Sequence, residues 1–390
     1  MTNPRNTTVL ISGASVGGPA LAYWLTRHGF AVTVVERAPA LRAGGQAVDV
    51  RVPALEVADR MGLAAELRAH GTGMRGMTMY DGAGTELYST TGHTLTGGDL
   101  DSPDVEILRD DLARLLAGAA GGDVEYLFDD SITAVEQDGH GVRVTFENAA
   151  PRSFDLLVGA DGLHSNVRRL VFGPEEEFIS HLGTYLAVFT APNFLDLDHW
   201  QVFCQAGDFG GGMMSARDNA EARVYIGFAT PDPIAYDYRD VAAQKRILAE
   251  RYADAGWEFP RALSYMWDAP DFHFDSMSQI RMDSWSRGRV VLLGDAGYCG
   301  SPLSGQGTSM AMVGAYVLAG ELKAAGGDHE AAFANYQREL GGYVAANQRL
   351  ALTNKARVEA QTAAAAGGEA AEVDFQDFGD ITNGLVLKDY

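Results

Sequence analysis

Thr8–Arg37, TVLISGASVGGPALAYWLTRHGFAVTVVER, decides how this chain folds. Val9–Ile11 is a short apolar run, as in a strand buried on both faces. Gly13-Ala-Ser-Val-Gly17-Gly18 turns into a helix with Leu21, Trp24 and Leu25 on one stripe, and Gly29 ends it. Ala31–Val35 is a second strand, with Glu36 at its end. Strand, glycine turn, helix, strand and terminal acid make up the fingerprint of a dinucleotide-binding βαβ unit. Gly13 makes the tight turn, and Gly18 lets the helix close on the strand. The helix start offers a pyrophosphate free N–H groups and a positive dipole end. Glu36 can accept a hydrogen bond from a ribose. Ser15 stands where a second glycine is usual, and its small hydroxyl can donate to phosphate. Contacts to the dinucleotide are therefore expected at Gly13, Ser15, Val16, Gly17, Gly18, Glu36 and Arg37. The motif leaves NAD(P) and FAD both open, and the bland alternative is a βαβ unit that binds nothing.

At 390 residues the chain can hold two domains with full cores. Its 46% apolar and 21% charged residues are those of an ordinary globular protein. A net charge of −22 disfavours nucleic acid and anionic membrane surfaces by repulsion, and also fits a plain solvated surface. Cys204 and Cys299 are far apart and in no metal-ligand pattern, so a reduced cytoplasmic protein with no metal site is expected. The opening MTNPRNTT is no signal segment, and no run approaches the ~20 apolar residues that span a bilayer.

Further along, Gly44-Gly45 suggests backbone passing close to a ligand. Pro53–Leu67 has helical spacing, and Met74–Thr91 reads as a hairpin around Asp81-Gly82. Thr91–Asp104 is irregular, and Val105–Ala117 reads as a helix. Strands follow at Val124–Phe128, Ile132–Gln137 and Val142–Glu147. In Phe154–Arg168, FDLLVGADGLHSNVR, an apolar strand runs into Asp161-Gly162, and Ser165 can cap a helix near Asn166. Asp161-Gly162 is either a nucleotide contact or an ordinary turn. Phe178–Thr190, Trp200–Gln205, Gly211–Ala216 and Ala222–Ala229 make a β-rich block, closed by a loop at Pro231 and Pro233 and a helix over Asp240–Ala255. In Arg289–Leu322 a buried strand ends at Gly294-Asp295, and Pro302-Leu-Ser-Gly305-Gln-Gly307 leads into a helix. Asp328–Thr353 is a long helix, Thr362–Ala371 a loosening end or linker, and Val373–Tyr390 a tail without period.

These three stretches, in this order, resemble the single-component FAD-dependent aromatic hydroxylases typified by para-hydroxybenzoate hydroxylase. The resemblance is strongest to their tetracycline-inactivating branch, and it extends to about Leu350. It implies an α/β fold: a Rossmann-like FAD-binding domain, an inserted β-sheet substrate domain and a C-terminal helix. The corresponding boundaries are 1–73, 98–175 and 276–327 for the FAD-binding domain, 74–97 and 176–275 for the substrate domain, and 328–390 for the helix and tail. Non-covalent FAD contacts carried over are Gly45, Arg109, Asp161, Gly162, Gly294, Asp295, Pro302, Gly305, Gln306, Gly307 and Thr308. Two departures stand out. Ala296-Gly297-Tyr298 replaces a frequent Ala-His, and Thr308 and Gly314 replace a usual Asn and Asp.

The resemblance further implies an NAD(P)H-consuming monooxygenase acting through a flavin C4a-hydroperoxide. Either NADPH or NADH would serve as a transient reductant, since no second glycine-rich unit is present. The substrate would be an aromatic or polycyclic small molecule such as a polyketide or antibiotic, and the protein a monomer or homodimer. No catalytic residue is required beyond the flavin. Candidates near the chemistry are Arg223, His273, Tyr298 and Pro302. Candidates for substrate contact are Gln201, Phe203, Met213, Arg223 and Tyr225, with Phe272 beside them. Most of these also suit a packed core. Arg223 differs, because a strand Arg facing inward needs a partner. The rival readings are an FAD reductase or dehydrogenase without oxygen insertion, and a non-catalytic FAD- or drug-binding protein.

Overall fold

A computed structural model of the chain describes residues 7–230, 232–365, 381 and 384–390. The readings of 1–6, Pro231, and the linker and tail over 366–380 lie outside the described residues.

Two sheets organise the molecule. The first runs in the order Ser286–Arg287, Val290–Leu292, Leu156–Gly159, Thr8–Ser12, Ala31–Glu36, Val124–Phe128. All neighbours are parallel except the first pair. Its central strands carry the apolar runs Val9–Ile11, Leu156–Val158 and Val290–Leu292, buried because both faces are covered, while the edge strands Ser286–Arg287 and Val124–Phe128 are more open. Val9 and Ile11 pack into one cluster, with the helices Gly17–Arg27, Arg109–Ala120 and Gly307–Ala324. Leu10 points the other way, into a cluster with the antiparallel sheet Ile132–Gln137, Val142–Phe146 and Arg152–Phe154. Each such buried side chain contributes about 1.5–3 kcal/mol.

The second sheet has seven strands in the order His273–Ile280, Ile179–Ala191, Glu221–Ala229, Phe209–Ala216, Gln201–Ala206, Met77–Asp81, Glu86–Thr90. One face buries Ala222, Val224, Ile226 and Phe228 under the helices Val241–Arg251 and Phe259–Met266. The opposite face carries Met77, Val188, Phe203, Met214 and Tyr225, with Ala47 packed on it. The period-2 alternation of a strand therefore decides which residues look toward the first sheet.

Several elements differ from the expectations. Val105–Leu108 is a strand paired antiparallel with Ala47–Val50, and the helix starts only at Arg109. Pro53–Leu67 is split into Val52–Arg60 and Ala64–Ala69 by Gly62, whose φ is +77°. The helix begun at Val241 stops at Arg251. Phe259–Met266 and the edge strand His273–Ile280 went unread in the sequence. The last helix runs from His329 to Ala365. The C-terminal residues dock on the Gly307–Ala324 helix: the Tyr390 hydroxyl donates to Glu321 at 2.8 Å, and the Tyr316 hydroxyl donates to the Lys388 carbonyl at 2.6 Å. Among the described residues no helix is long and apolar enough to cross a membrane.

Candidate functional site

The C-terminal ends of the parallel strands converge, where open α/β sheets place ligands. Thr8–Ser12 ends at the glycine turn, Ala31–Glu36 at Glu36, Leu156–Gly159 before Asp161, and Val290–Leu292 before Asp295. The turn is built to extreme closeness. Gly13 has φ +107°, and its N–H donates to Val35 O at 2.8 Å. A Cβ on Gly13 would lie 2.4 Å from Ala160 O, and one on Gly18 would lie 1.9 Å from Gly13 O. Glu36 accepts from the N–H groups of Ala14 at 2.8 Å and Ala38 at 2.9 Å, so its carboxylate sits at the turn.

Ser15 leads to the next layer. Its hydroxyl accepts from Arg109 Nη1 at 3.0 Å, and Arg109 Nη2 reaches Gly44 O at 3.4 Å. Burial, with Arg42 nearby, pushes the Arg109 guanidinium down to about 10, so it stays charged at neutral pH. Gly44 and Gly45 have φ +74° and +105°, and a Cβ on Gly45 would come within 2.6 Å of Arg109 Nε. This glycine pair is braced by the Arg109–Ala120 helix on one side and by the large sheet and its Asp271 loop on the other. Gly44 N–H donates to Asp110 at 3.1 Å and Gly45 N–H to Asp271 at 3.4 Å. Gly45 O accepts from Arg223 Nε at 3.1 Å, and Ala47 N–H donates to the Tyr225 hydroxyl at 2.9 Å. Asp271 is anchored in turn by Thr190, through its N–H at 2.8 Å and its hydroxyl at 2.6 Å. Nothing in the sequence around Asp271 signals this role.

The third layer is the Gly294–Thr308 stretch. Gly294 has φ +63° and opens the short helix Asp295–Tyr298. Burial raises the pKa of Asp295, and Gly307 lies close enough that its Cβ would stand 3.8 Å from Asp295 Oδ1. Gly305 is left-handed, and Gln306 precedes the 18-residue helix Gly307–Ala324. The first turn leaves the Gly307 and Thr308 N–H groups without intrahelical acceptors. Gln306 is fully buried, yet neither its Oε1 nor its Nε2 has a partner among the described residues. Buried amides are nearly always satisfied, so this one fits a bound group rather than packing alone. The fit to a flavin dinucleotide is thus met by the cradle at Gly13–Gly18, by Arg109 and by the orphaned Gln306.

Other candidates take different places. Asp161 accepts from Ser165 Oγ at 2.5 Å and from the N–H groups of Asn166 and Val167 at 2.9 and 3.0 Å, so its carboxylate caps a helix. Gly162, at φ +82°, turns the chain beside it. Tyr298 is in the core, its hydroxyl 2.8 Å from that of Tyr336 and its ring 4.5 Å from Trp285. Burial pushes its phenol up to about 12. A Cβ on Gly314 would lie 2.2 Å from the Tyr298 hydroxyl, so the two departures from the family pattern form one packed pair. Pro302 is exposed at the start of a single 3₁₀ turn. Met213 and Phe272 pack on the helix-covered face of the large sheet. Phe203 and Tyr225 lie on the opposite face. Gln201 is buried, with its amide holding Leu95 N at 3.2 Å and Thr96 Oγ1 at 2.5 Å. His273 is exposed, and Arg109 and Arg42 act on it electrostatically. Crowding, then those charges, lower its pKa while Asp275 opposes them, and contact with water limits the drop.

Two networks were not legible. Arg51 joins Asp49, Asp104 and Gly305. Burial raises Asp49 to about 7 against the pull of Arg51. The second network runs from Arg168 through Glu175 to His164 and Asp275, tying the Asp161 turn to the large sheet. Burial alone would lower the His164 imidazole, but hydrogen bonds to Asp275 and Glu175 outweigh it and push it up to about 9. A raised base stabilises fully below its ordinary value near 6.5 and stops doing so as pH climbs through about 9. The wild type should exceed His164→Gln in unfolding free energy by on the order of 2 kcal/mol at neutral pH. Denaturant melts across the alkaline range should show that excess vanish. A constant difference would mean that His164 is not charged in the fold.

Comparison with known proteins bears on the whole site. Residues 6–341 match the model of a family described as an FAD binding domain. An uncharacterized protein of Mycobacterium tuberculosis is 55% identical over 98% of this chain and 100% of its own length. A flavin-dependent monooxygenase of Legionella longbeachae is 37% identical over 99% of both chains. The crystal structure of the tetracycline destructase Tet(51) superposes with a TM-score of 0.87 at 35% identity, covering 99% of this chain and 100% of that one.

Proposed function

This chain belongs to the FAD binding domain family and is an FAD-dependent monooxygenase, and we propose that it uses NAD(P)H and O₂ to oxygenate a polycyclic aromatic small molecule of the polyketide type. The observation that carries the reading is the buried Gln306 amide, unpartnered among the described residues, between Gly305 and the helix start. Likeness to a tetracycline destructase over the full chain supports the polycyclic substrate class.

When bound, FAD supplies the electron-carrying and oxygen-activating chemistry, and the protein's work is binding and electrostatics. Gly13, Gly18 and the N–H groups at Val16–Gly18 would hold the pyrophosphate, with Glu36 on the adenosine ribose. Arg109, fixed by Ser15, places a permanent positive charge beside Gly44. Asp295 offers a carboxylate to the ribityl hydroxyls. The N–H donors at Gly307 and Thr308 and the dipole of a long helix stabilise negative charge that develops near them. The large sheet would contribute the substrate wall from the face that carries Phe203, Met214 and Tyr225. That apolar wall excludes water, which a reactive oxygenating site needs.

Purified protein should be yellow and release FAD on acid precipitation. Incubated with NADPH, O₂ and a panel of polyketides, it should yield a product heavier by one oxygen atom, read by mass spectrometry. NADPH consumption without an oxygenated product from any panel member would favour a reductase. Protein that takes up no FAD would remove the basis of the reading.

A further inference from the structure

We propose that Arg51 is the positioning residue of the Gly305–Gly307 turn, holding the turn and the start of its helix in the one geometry that receives the flavin. The inference rests on the assignment of that turn to FAD given above.

Arg51 has an extended backbone immediately before the helix Val52–Arg60 and is buried, at 7% exposure. It contacts the turn on both sides. Its Nε donates to Gly305 O at 3.4 Å, on the incoming arm. Its own backbone N–H donates to Ser309 Oγ at 3.1 Å, on the first turn of the helix. The turn is packed down on the guanidinium, since a Cβ on Gly305 would lie 3.4 Å from Nη2.

The guanidinium is itself immobilised. Nη2 donates to Asp49 Oδ2 at 2.7 Å and Nη1 to Asp104 Oδ2 at 2.8 Å, so the two ends of the fork are fixed by carboxylates from different segments. Among the described residues no other group donates to either carboxylate, and the second oxygen of each is buried without a partner. Glu106, held by Thr72 and Thr96, adds a further acid to the same surroundings. A planar fork held at three points fixes an orientation that a flexible ammonium cannot. Four separated pieces of chain thus meet on one side chain: the strand Ala47–Val50, Asp104, the Gly305 turn and the Gly307–Ala324 helix. An ion pair serving stability alone has no need to reach the turn's carbonyl and its helix as well.

Arg51→Lys keeps the charge but loses the fork and the Nε donor. FAD dissociation constants, the midpoint potential of the bound flavin and the melting of the FAD-free protein should be compared with the wild type. The expected result is FAD bound about tenfold more weakly. The two-electron equilibrium of the bound flavin should also shift about tenfold, or about 30 mV. FAD-free melting should fall as the buried carboxylates lose part of their fork, so the flavin potential, which a merely structural role would not move, is the deciding readout. Asp104→Asn, which loosens one anchor, should move both flavin readouts the same way by a smaller factor. If Arg51→Lys does not fold, Ser309→Ala tests the same clamp and should weaken FAD about threefold. Wild-type flavin potential and affinity in the folded variants would overturn the proposal and leave Arg51 as a structural ion pair. A wild type that takes up no FAD would instead overturn the functional reading, and this proposal with it.

Discussion

Gly18→Val yields protein that folds poorly or, where it folds, binds FAD at least about 100-fold more weakly than the wild type. The reason is the 1.9 Å that a Cβ would have to Gly13 O, with Ile11 Cγ2 at 3.5 Å behind it. The obstructing atom is backbone, so no rotamer change relieves it. The Gly17–Arg27 helix must retreat from the Thr8–Ser12 strand, and its N–H groups retreat with it. Gly13 cannot yield in compensation, because it is held at φ +107° with its own Cβ position 2.4 Å from Ala160 O. The control is Gly29→Ala, whose site has nothing within 4 Å although its φ is +86°. That change should cost about 1–2 kcal/mol in backbone strain and leave FAD affinity intact. Fluorescence quenching of added FAD measures both variants. A folded Gly18→Val protein with wild-type affinity would mean that the pyrophosphate does not sit on this turn.

The glycine turn was legible because all its determinants lie within one local stretch, where spacing maps directly onto geometry. The third stretch was legible only in part. Tyr298 follows Asp295 by three residues, at the far end of the same four-residue helix, and its phenol ends in the core against Tyr336. Nearness in sequence had suggested nearness to the ligand. The strong period of Leu112 and Leu116 reads on backward over VEIL as helix, but Val105–Leu108 is a strand. There the burial of Val105 and Ile107 follows a strand period and pairing with Ala47–Val50 wins. His273–Ile280 has little β-branched content, and its place is set by the neighbouring Ile179–Ala191 strand. Asp271 and the Arg51 cluster bring together residues tens to hundreds apart in sequence, a relation that no local pattern encodes.

Arg223→Met should lower the unfolding free energy of the FAD-free protein by roughly 3 kcal/mol, with no substrate needed to reveal the loss. On sequence grounds Arg223 was a substrate contact, an inward strand Arg awaiting a partner. Its partners are already present. Nε donates to Gly45 O at 3.1 Å, Nη1 donates to Glu221 at 2.8 Å, and the side chain is buried. The substitution leaves a buried carbonyl on Gly45 unsatisfied. Glu221 loses less, because it is partly solvated and Arg217 remains 3.4 Å away. Most of the cost therefore falls on the Gly44–Gly45 strap, which Asp110, Asp271 and Arg109 also grip. The strap is thus held by the Arg109–Ala120 helix on one side and by the large sheet on the other. Asp271→Asn should weaken the same strap from its other side, and its effect should be non-additive with that of Arg223→Met, since the two grip the N–H and the C=O of one residue, Gly45. Urea unfolding of the FAD-free single and double variants provides the measurement. If Arg223→Met melts like the wild type and only raises KM, the arginine is a substrate contact after all and the strap does not depend on it.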